Sequence, residues 1–438
     1  MQAVRWNMIV YAIAENADEH GRITDAIGQM HKALTTDQGH IAVQVHAASQ
    51  TTRYWISAGE GVRTQVLPKI VDASRRRALT GFLNEANKAF PASSSMLVLW
   101  AHGSGLDHVH DYPAKASTPG PGGEVGGHGA PGLGGGLGHA DSLSDHRAAF
   151  AALRRRAPFG HDGPRSRRAA LGEQTLLGRG GPVQTPPRKP EHYGCRWGPD
   201  PVTHQFLTNV AMKQAIAASA RGHVDVLALN ACWMAALEVE YELRNVAAVE
   251  VASQVYARPW PYGAIVASLS ATPAQSADQL ARTIVAAVQA EIALGKRDDA
   301  VSAVRAGGAM DALAAVFDVY ARRVTALIDA DWPSVQQAVM TGAQRIDDPY
   351  QVDLASLIRV LGTSDPEARA AAAVVAARLE SMLVAHAAHA SHPGVQGLSV
   401  FCPKSTHVDL VDAYQGTEFR THSWAEFLIR FQRRLGSS

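Results

Sequence analysis

Several apolar runs bounded by polar turns most constrain how this chain can fold. The runs span residues 6–13, 96–101, 224–229 and 246–253, and two more strand-like segments span 41–47 and 53–58. Continuous apolar runs of this length are typical of strands that are covered on both faces. Residues 23–34 and 74–90 place apolar side chains at helical spacing between them. This order predicts an α/β fold of three layers with a mostly parallel central sheet.

The organisation of the chain follows from the same pattern. Residues 1–112 and 196–272 are predicted to form the core of the fold, and residues 273–438 a mainly helical C-terminal region packed on it. That region has a late strand at 397–402 and a last amphipathic helix at 424–435. Its other predicted helices span 274–294, 300–331, 333–343, 352–361 and 366–389.

Residues 113–195 differ from the rest in composition. Eleven glycines lie between Gly120 and Gly138, and clustered arginines and prolines follow. Such a segment cannot bury enough apolar surface to offset the entropy of ordering it. We therefore predict a flexible Gly/Pro/Arg-rich insertion within the core rather than a separate domain.

Composition excludes several classes of function. The 41 basic and 40 acidic residues create no global field for nucleic acid or anionic membranes, so neither partner is expected. No apolar run is long enough to span a bilayer or typical of a secretion signal. Three cysteines are too few for a disulfide framework, which predicts a reducing, cytoplasmic location.

His102 and Cys232 each lie just beyond a predicted buried strand. A thiol needs a neighbouring base to become a nucleophile, and strand ends of an α/β sheet are where the two can meet. Each residue alone is better explained as a loop histidine or a buried thiol, but the pair indicates a cysteine nucleophile with its base. The amides of Gly103 and Cys232 could form an oxyanion hole. Cys195 and Cys402 are expected to be a loop thiol and a core thiol.

The residues around this pair resemble the clostripain family of cysteine peptidases, which shares the caspase-hemoglobinase fold with gingipains, legumains and caspases. The similarity extends over nearly everything except 113–195, and its most specific part is Cys232 to Leu243. The matching segments are 6–15, 99–105, 230–234, 238–243, 251–254, 260–262, 397–401 and 424–428.

The resemblance implies a dyad in which Cys232 attacks the scissile carbonyl and His102 acts as base and then acid, through an acyl-enzyme. It also implies a preference for Arg or Lys before the cut bond (P1) and an S1 pocket for that side chain. The S1 candidates are Asn230, Ser253, Gln254 and Trp260. Asn230 stands where the family commonly has an acidic residue; the alternative is that it caps the following helix.

The family also suggests a zymogen that is activated by cleavage of 113–195. Arg156, Arg168 and Arg179 are candidate sites for self-cleavage, and an upstream activating protease is the other route. A linker without regulation is an equal alternative. By analogy, the protein would act on protein or peptide substrates in a bacterial proteolytic cascade of stress, cell death or antiviral defence. The rival hypothesis is an inactive or specialised caspase-like scaffold that binds partners.

No cofactor is expected. The histidines at 108, 110, 128, 139, 146 and 161 do not have the spacing of a known metal site. Calcium dependence occurs in some relatives, but no acidic loop of the EF-hand type is visible here.

Overall fold

A computed structural model describes residues 4–103, 196–203, 205–346, 350–404, 414 and 417–437. Its strands are β1 (Val4–Ala14), β2 (Gly39–Ala47), β3 (Thr51–Ser57), β4 (Gly61–Val66), β5 (Ala92–Trp100), β6 (Arg196–Pro199), β7 (Phe206–Thr208), β8 (Val224–Asn230), β9 (Ala247–Ala252), β10 (Ala300–Arg305), β11 (Gln351–Asp353), β12 (Leu383–Ala388) and β13 (Ser399–Phe401). Its helices are α1 (Ala17–Ala33), α2 (Arg76–Ala89), α3 (Asn209–Ala217), α4 (Leu237–Leu243), α5 (Tyr262–Ala271), α6 (Ala277–Ala293), α7 (Gly308–Ala330), α8 (Trp332–Gln337), α9 (Leu354–Val360), α10 (Pro366–Met382) and α11 (Ser423–Gly436).

A mixed sheet forms the centre of the described fold. Its strand order is β12-β10-β9-β8-β5-β1-β2-β3-β4. The middle five strands, from β9 to β2, run parallel to one another, and the outer strands on both sides are antiparallel. Parallel strands need crossover connections, and helices supply them here.

Both faces of this sheet are covered by helices, because alternate side chains of each strand point to opposite faces. Met8 and Val10 of β1 lie in one hydrophobic cluster with residues of α1, α5 and α6. Tyr11 lies on the other face, where its ring is 6.2 Å from that of Phe82 in α2. The predicted three-layer α/β fold is therefore confirmed.

The last two strands on one side of the sheet, β10 and β12, lie within segments for which the sequence predicts helix. The predicted helix 300–331 is wrong for Ala300–Arg305, and the predicted helix 366–389 is wrong after Met382. Both strands are rich in alanine, which favours helices in the absence of tertiary contacts. Pairing with β9 decides here, since β10 runs antiparallel to it and is almost completely buried. The C-terminal region thus contributes strands to the main sheet. The hairpin strand β4 and helix α5 were not predicted.

Two small sheets hold loops near the carboxyl ends of the central strands. Strands β6 and β7 pair with each other, and Gly198 of β6 donates a backbone hydrogen bond to His102 O at 2.8 Å. Strands β11 and β13 form the other pair, and Ser399 of β13 bridges to Ala236 just before α4. Among the described helices, none has both the length and the apolar character needed to cross a bilayer.

Candidate active site

His102 and Cys232 follow two strands that are direct neighbours in the sheet. Strands β5 and β8 are parallel, and Trp100 pairs with Asn230 in their register. His102 and Cys232 are each two residues beyond that pair. Because adjacent strands are about 4.8 Å apart, the register brings the histidine and the cysteine to the same point of the sheet edge.

Gly103 packs directly against the backbone of Cys232. A Cβ atom added to Gly103 would lie 2.5 Å from Cys232 O and 3.1 Å from Cys232 N. A side chain at position 103 would therefore push the two turns apart, so the close approach depends on glycine. The predicted oxyanion donors, the amides of Gly103 and Cys232, lie on backbones in contact with each other.

Two carboxylates of the first strand–helix turn approach the His102 ring. Its Nε2 lies 2.9 Å from Glu19 Oε1 and 3.8 Å from Glu15 Oε1. Burial disfavours charge on the ring, but the Glu19 hydrogen bond and the charges of Glu15 and Glu19 outweigh it and raise the pKa of His102 to about 9. The imidazolium is therefore the stable form at neutral pH.

Glu15 and Glu19 are linked to each other as well. The Glu15 amide donates to Glu19 Oε2 at 2.8 Å, while the other oxygen of Glu19 faces His102. Burial raises the pKa of Glu15 to about 7, and the charge of Glu19 adds to this while His102 opposes it. Sequence reasoning missed both residues as part of the site. The available signal was that β1, which pairs with β5 through Ala12 and Trp100, is followed at once by acidic residues.

The sulfur of Cys232 faces the loop that follows β9. The Ala257 amide donates to Cys232 Sγ at 3.3 Å, and the Trp233 amide donates to Val255 O at 3.1 Å. Trp233 has a φ of 58°, which is uncommon for a residue other than glycine and is characteristic of sites held by their surroundings. Helix α4 begins only at Leu237, so the thiol is not at its N-terminus.

Asn230 is fully engaged by the same loop. Its Nδ2 donates to Arg258 O at 2.8 Å, and its Oδ1 accepts from the Trp260 amide at 3.2 Å and from the Tyr262 hydroxyl at 2.9 Å. The alternative that Asn230 caps the following helix is wrong, because Ala236 is the cap of α4 and no side chain bonds there. Asn230 shapes the loop beside Cys232, and its oxygen is already used.

The other S1 candidates are also buried in the framework of this loop. Ser253 Oγ donates to Val255 O at 2.9 Å and accepts from the Val255 amide at 3.2 Å. Gln254 Nε2 donates to Asp353 Oδ2 at 3.1 Å. Trp260 belongs to the hydrophobic cluster under the sheet. The structure thus brings the four candidates together as the support of one loop.

Charged residues just before β10 bind the loop that follows β9, and sequence reasoning missed them. Arg297 binds Asp299 through Nε at 2.9 Å and Nη2 at 2.5 Å, and both residues are buried. Arg258 Nε donates to Asp298 Oδ1 at 3.1 Å. The only signal in the sequence was the run Arg297-Asp298-Asp299, which is otherwise typical of a solvated turn.

The remaining predicted residues fall elsewhere. Cys402 is buried, and burial raises the pKa of its thiol to about 11, as expected for a core thiol. Cys195, the segment 113–195 and the cleavage candidates Arg156, Arg168 and Arg179 lie outside the described residues. Within the described part of the chain, no three His, Cys, Asp or Glu side chains are grouped to hold a metal ion.

Comparison with known proteins identifies the family of the chain. Residues 194–428 match the sequence model of the clostripain family, also called peptidase family C11. No curated protein shows significant sequence similarity to the chain.

Three solved structures share the fold. A secreted C11 cysteine protease from Bacteroides thetaiotaomicron in complex with an irreversible peptide inhibitor has a TM-score of 0.59 at 14% identity, covering 96% of this chain and 99% of that one. An inactive zymogen C11 protease from Parabacteroides distasonis has a TM-score of 0.57 at 15% identity, with 96% and 98% covered. A second structure of a secreted C11 protease from B. thetaiotaomicron, called iotapain, has a TM-score of 0.60 at 12% identity, with 97% and 100% covered.

Proposed function

The chain belongs to the clostripain family of cysteine peptidases, and from that premise we propose that it is an endopeptidase with Cys232 as nucleophile and His102 as its acid–base partner. The observation that carries this proposal is the contact of Gly103 with the Cys232 backbone, at the shared edge of β5 and β8. That contact supports the proposal because it joins the two turns that carry the candidate nucleophile and its base.

The proposed reaction begins with the thiolate of Cys232 and the imidazolium of His102. A neighbouring imidazolium lowers the pKa of a thiol and so favours this ion pair. The sulfur attacks the scissile carbonyl carbon and the C–S bond forms, while the amides of Gly103 and Cys232 hold the oxyanion. The C–N bond then breaks as His102 gives its proton to the leaving amine.

Hydrolysis of the acyl-enzyme completes the cycle. His102, now neutral, accepts a proton from water, and the resulting hydroxide attacks the thioester carbonyl. The C–S bond breaks, the product leaves as the carboxylic acid and gives its proton to the solvent, and the thiolate–imidazolium pair is restored. Glu19 acts through His102 as a positioning residue, because its carboxylate orients the ring and favours the charged form.

We further propose that the enzyme accepts Arg or Lys as the P1 residue. Asn230 cannot supply the counter-charge, since it is neutral and its oxygen already accepts two hydrogen bonds. Asp298 is the better candidate, because its carboxylate lies beside the loop that contacts Cys232 and is 31% exposed. A partly exposed carboxylate can pair with a guanidinium or ammonium group.

Activation by cleavage within 113–195 is the proposed form of regulation. The segment separates His102 from Cys232 in the sequence and contains Arg156, Arg168 and Arg179, which would suit an arginine-directed enzyme. Support also comes from the related fold described as an inactive zymogen. Cleavage by the enzyme itself or by an upstream protease would serve equally.

Location and biological role are proposals of the same kind. A cytoplasmic location rests on the cysteine content, while two neighbours of similar fold are described as secreted. Fractionation of the native host with an antibody against the chain decides between them. A role in a bacterial proteolytic cascade rests on family analogy alone.

The decisive experiment compares the wild type with Cys232→Ala and with Cys402→Ala, which removes a buried thiol instead. Purified proteins are incubated alone or after nicking of the insertion by an added protease, and fragments are identified by N-terminal sequencing. A peptide library with every P1 residue then measures activity. We expect cleavage within 113–195 and peptide hydrolysis in the wild type and in Cys402→Ala, and neither in Cys232→Ala.

Each outcome has a distinct meaning. Hydrolysis without self-cleavage assigns activation to another protease. A nicked wild type that cleaves no peptide overturns the peptidase proposal and leaves the scaffold hypothesis. Hydrolysis that persists in Cys232→Ala would assign the nucleophile elsewhere.

A further inference from the structure

Arg258 lies next to the residue that contacts the candidate nucleophile. Ala257 donates its amide to Cys232 Sγ at 3.3 Å, and consecutive Cα atoms are about 3.8 Å apart. The Arg258 side chain is 20% exposed, and its Nε donates to Asp298 Oδ1 at 3.1 Å. A guanidinium group of the protein itself therefore pairs with a carboxylate, one residue along the chain from the amide that contacts the sulfur.

The backbone of Arg258 is fixed on both sides. Its amide donates to Asp299 Oδ2 at 3.0 Å. Its carbonyl accepts from Asn230 Nδ2 at 2.8 Å and from Arg297 Nη2 at 3.1 Å. Because the main chain is held by these bonds, the side chain can change its partner or be replaced without loss of the loop.

The two neighbouring aspartates differ in what they can do. Asp299 is buried and already paired with Arg297 through both oxygens. Asp298 is 31% exposed and binds Arg258 through one oxygen. Asp298 is therefore the carboxylate that the side chain of a bound peptide can reach.

Tyr256 links this pair to the thiol electrostatically. Burial raises the pKa of its hydroxyl to about 12, the charge of Arg258 lowers it, and the charges of Cys232 and Asp298 raise it further. The thiol and the ion pair thus act on one side chain.

We propose that Arg258 is a specificity-determining residue that occupies Asp298 as an internal competitor of a basic P1 side chain. The inference rests on the proposed peptidase activity. A substrate Arg or Lys must displace the Arg258 guanidinium from Asp298 before it can pair there. With the pair intact, the site is electrically neutral and discriminates weakly between basic and uncharged P1 residues.

The test uses the full-length, nicked enzyme and three matched peptides that differ only in P1 as Arg, Ala or Glu. The variants are Arg258→Gln and Asp298→Asn, and Arg305→Gln is the control because it breaks another partly exposed Arg–Asp pair, with Asp278. We expect Arg258→Gln to raise the Arg/Ala ratio of kcat/KM about tenfold, since a charge-assisted hydrogen bond becomes available to the substrate. Asp298→Asn should lower that ratio by a similar factor and raise the Glu/Ala ratio. Arg305→Gln should change neither.

The outcomes separate this inference from the proposed function. If the wild type hydrolyses none of the three peptides or a full P1 library, the peptidase proposal fails first. If it hydrolyses them but both variants change all three rates in parallel, Arg258 and Asp298 only support the loop and the inference is overturned. Thermal unfolding of each variant identifies a folding defect. Because each variant removes a different partner of the Arg258–Asp298 pair, one well-folded variant is sufficient to test the inference.

Discussion

Replacing Glu19 with Gln tests whether carboxylates set the protonation state of His102. The ordinary pKa of 6.5 is raised to about 9 because the Glu19 hydrogen bond and the charges of Glu15 and Glu19 outweigh the cost of burial. At about 1.4 kcal/mol per pKa unit, the imidazolium gains roughly 3 kcal/mol of preferential stabilisation. At pH 7.5, a histidine with a pKa of about 9 is about 97% protonated, and one with a pKa of 6.5 is about 9% protonated.

This difference predicts about a tenfold loss of amide hydrolysis at pH 7.5 in Glu19→Gln, because only the imidazolium can protonate the leaving amine. The alkaline limb of the kcat/KM profile should move down from near pH 9 to near pH 6.5, which is the shift that a tenfold loss at pH 7.5 requires. An ester with a good leaving group needs no such proton, so its hydrolysis should lose less. Rates are measured between about pH 5 and pH 10.

Asp18→Asn is the matched control, because Asp18 lies in the same first turn of α1 and is exposed. Its profile should coincide with that of the wild type. An alkaline limb that stays in place in Glu19→Gln would refute the reasoning. Equal losses for amide and ester would show that Glu19 only supports the fold.

Three further changes give sharp results. Gly103→Ala should lower kcat about 100-fold or more and lower the free energy of unfolding by about 1–3 kcal/mol, since its Cβ would lie 2.5 Å from the backbone oxygen of Cys232 and would separate the oxyanion donors; kinetics and urea unfolding check this, and a fully active variant would contradict it. Asn230→Asp should not create an arginine pocket but should lower the free energy of unfolding by about 1–3 kcal/mol, because it removes the donor to Arg258 O and buries a charge there. An increase in kcat/KM for peptides with Arg at P1 would contradict this prediction. Burial raises the pKa of Glu250, so the folded state keeps a proton that the unfolded chain releases near pH 4.5. The free energy of unfolding should therefore fall as the pH rises above that value. Glu250→Gln should flatten this fall between about pH 5 and pH 8, as measured by urea unfolding.

The core of the fold could be predicted because the sequence of each central strand is by itself typical of a buried strand. Strands β1, β5, β8 and β9 are continuous apolar runs, and such runs fit only a covered sheet. Strands β10 and β12 carry no such signal, because their alanines and valines fit a helix equally well. Only the antiparallel pairing with β9 and with each other decides their conformation, and that pairing is a long-range contact.

Some residues of the candidate site could likewise be predicted from the sequence, and others could not. His102 and Cys232 could be predicted because each follows an apolar strand directly. Glu19 lies on α1, one turn beyond the end of β1, and only the packing of that helix against the sheet brings it to His102. Arg258 and Asp298 are 40 residues apart in the chain and meet through the loop after β9 and the turn before β10.

The order of the strands explains why these groups act separately on one reaction. From β1 to β5, β8 and β9, successive strand ends present the carboxylates, the base, the nucleophile and the loop that carries Arg258. Glu19 and Arg258 thus lie on opposite sides of the thiol along the sheet edge. Charges on one side act on proton transfer, and charges on the other act on the substrate. We therefore expect Glu19→Gln to move the alkaline limb without changing the Arg/Ala ratio, and Arg258→Gln to change that ratio without moving the limb. A double variant should show both effects, each close to its value in the single variant, because Glu19 binds His102 whereas Arg258 binds Asp298, and changes at independent sites are additive.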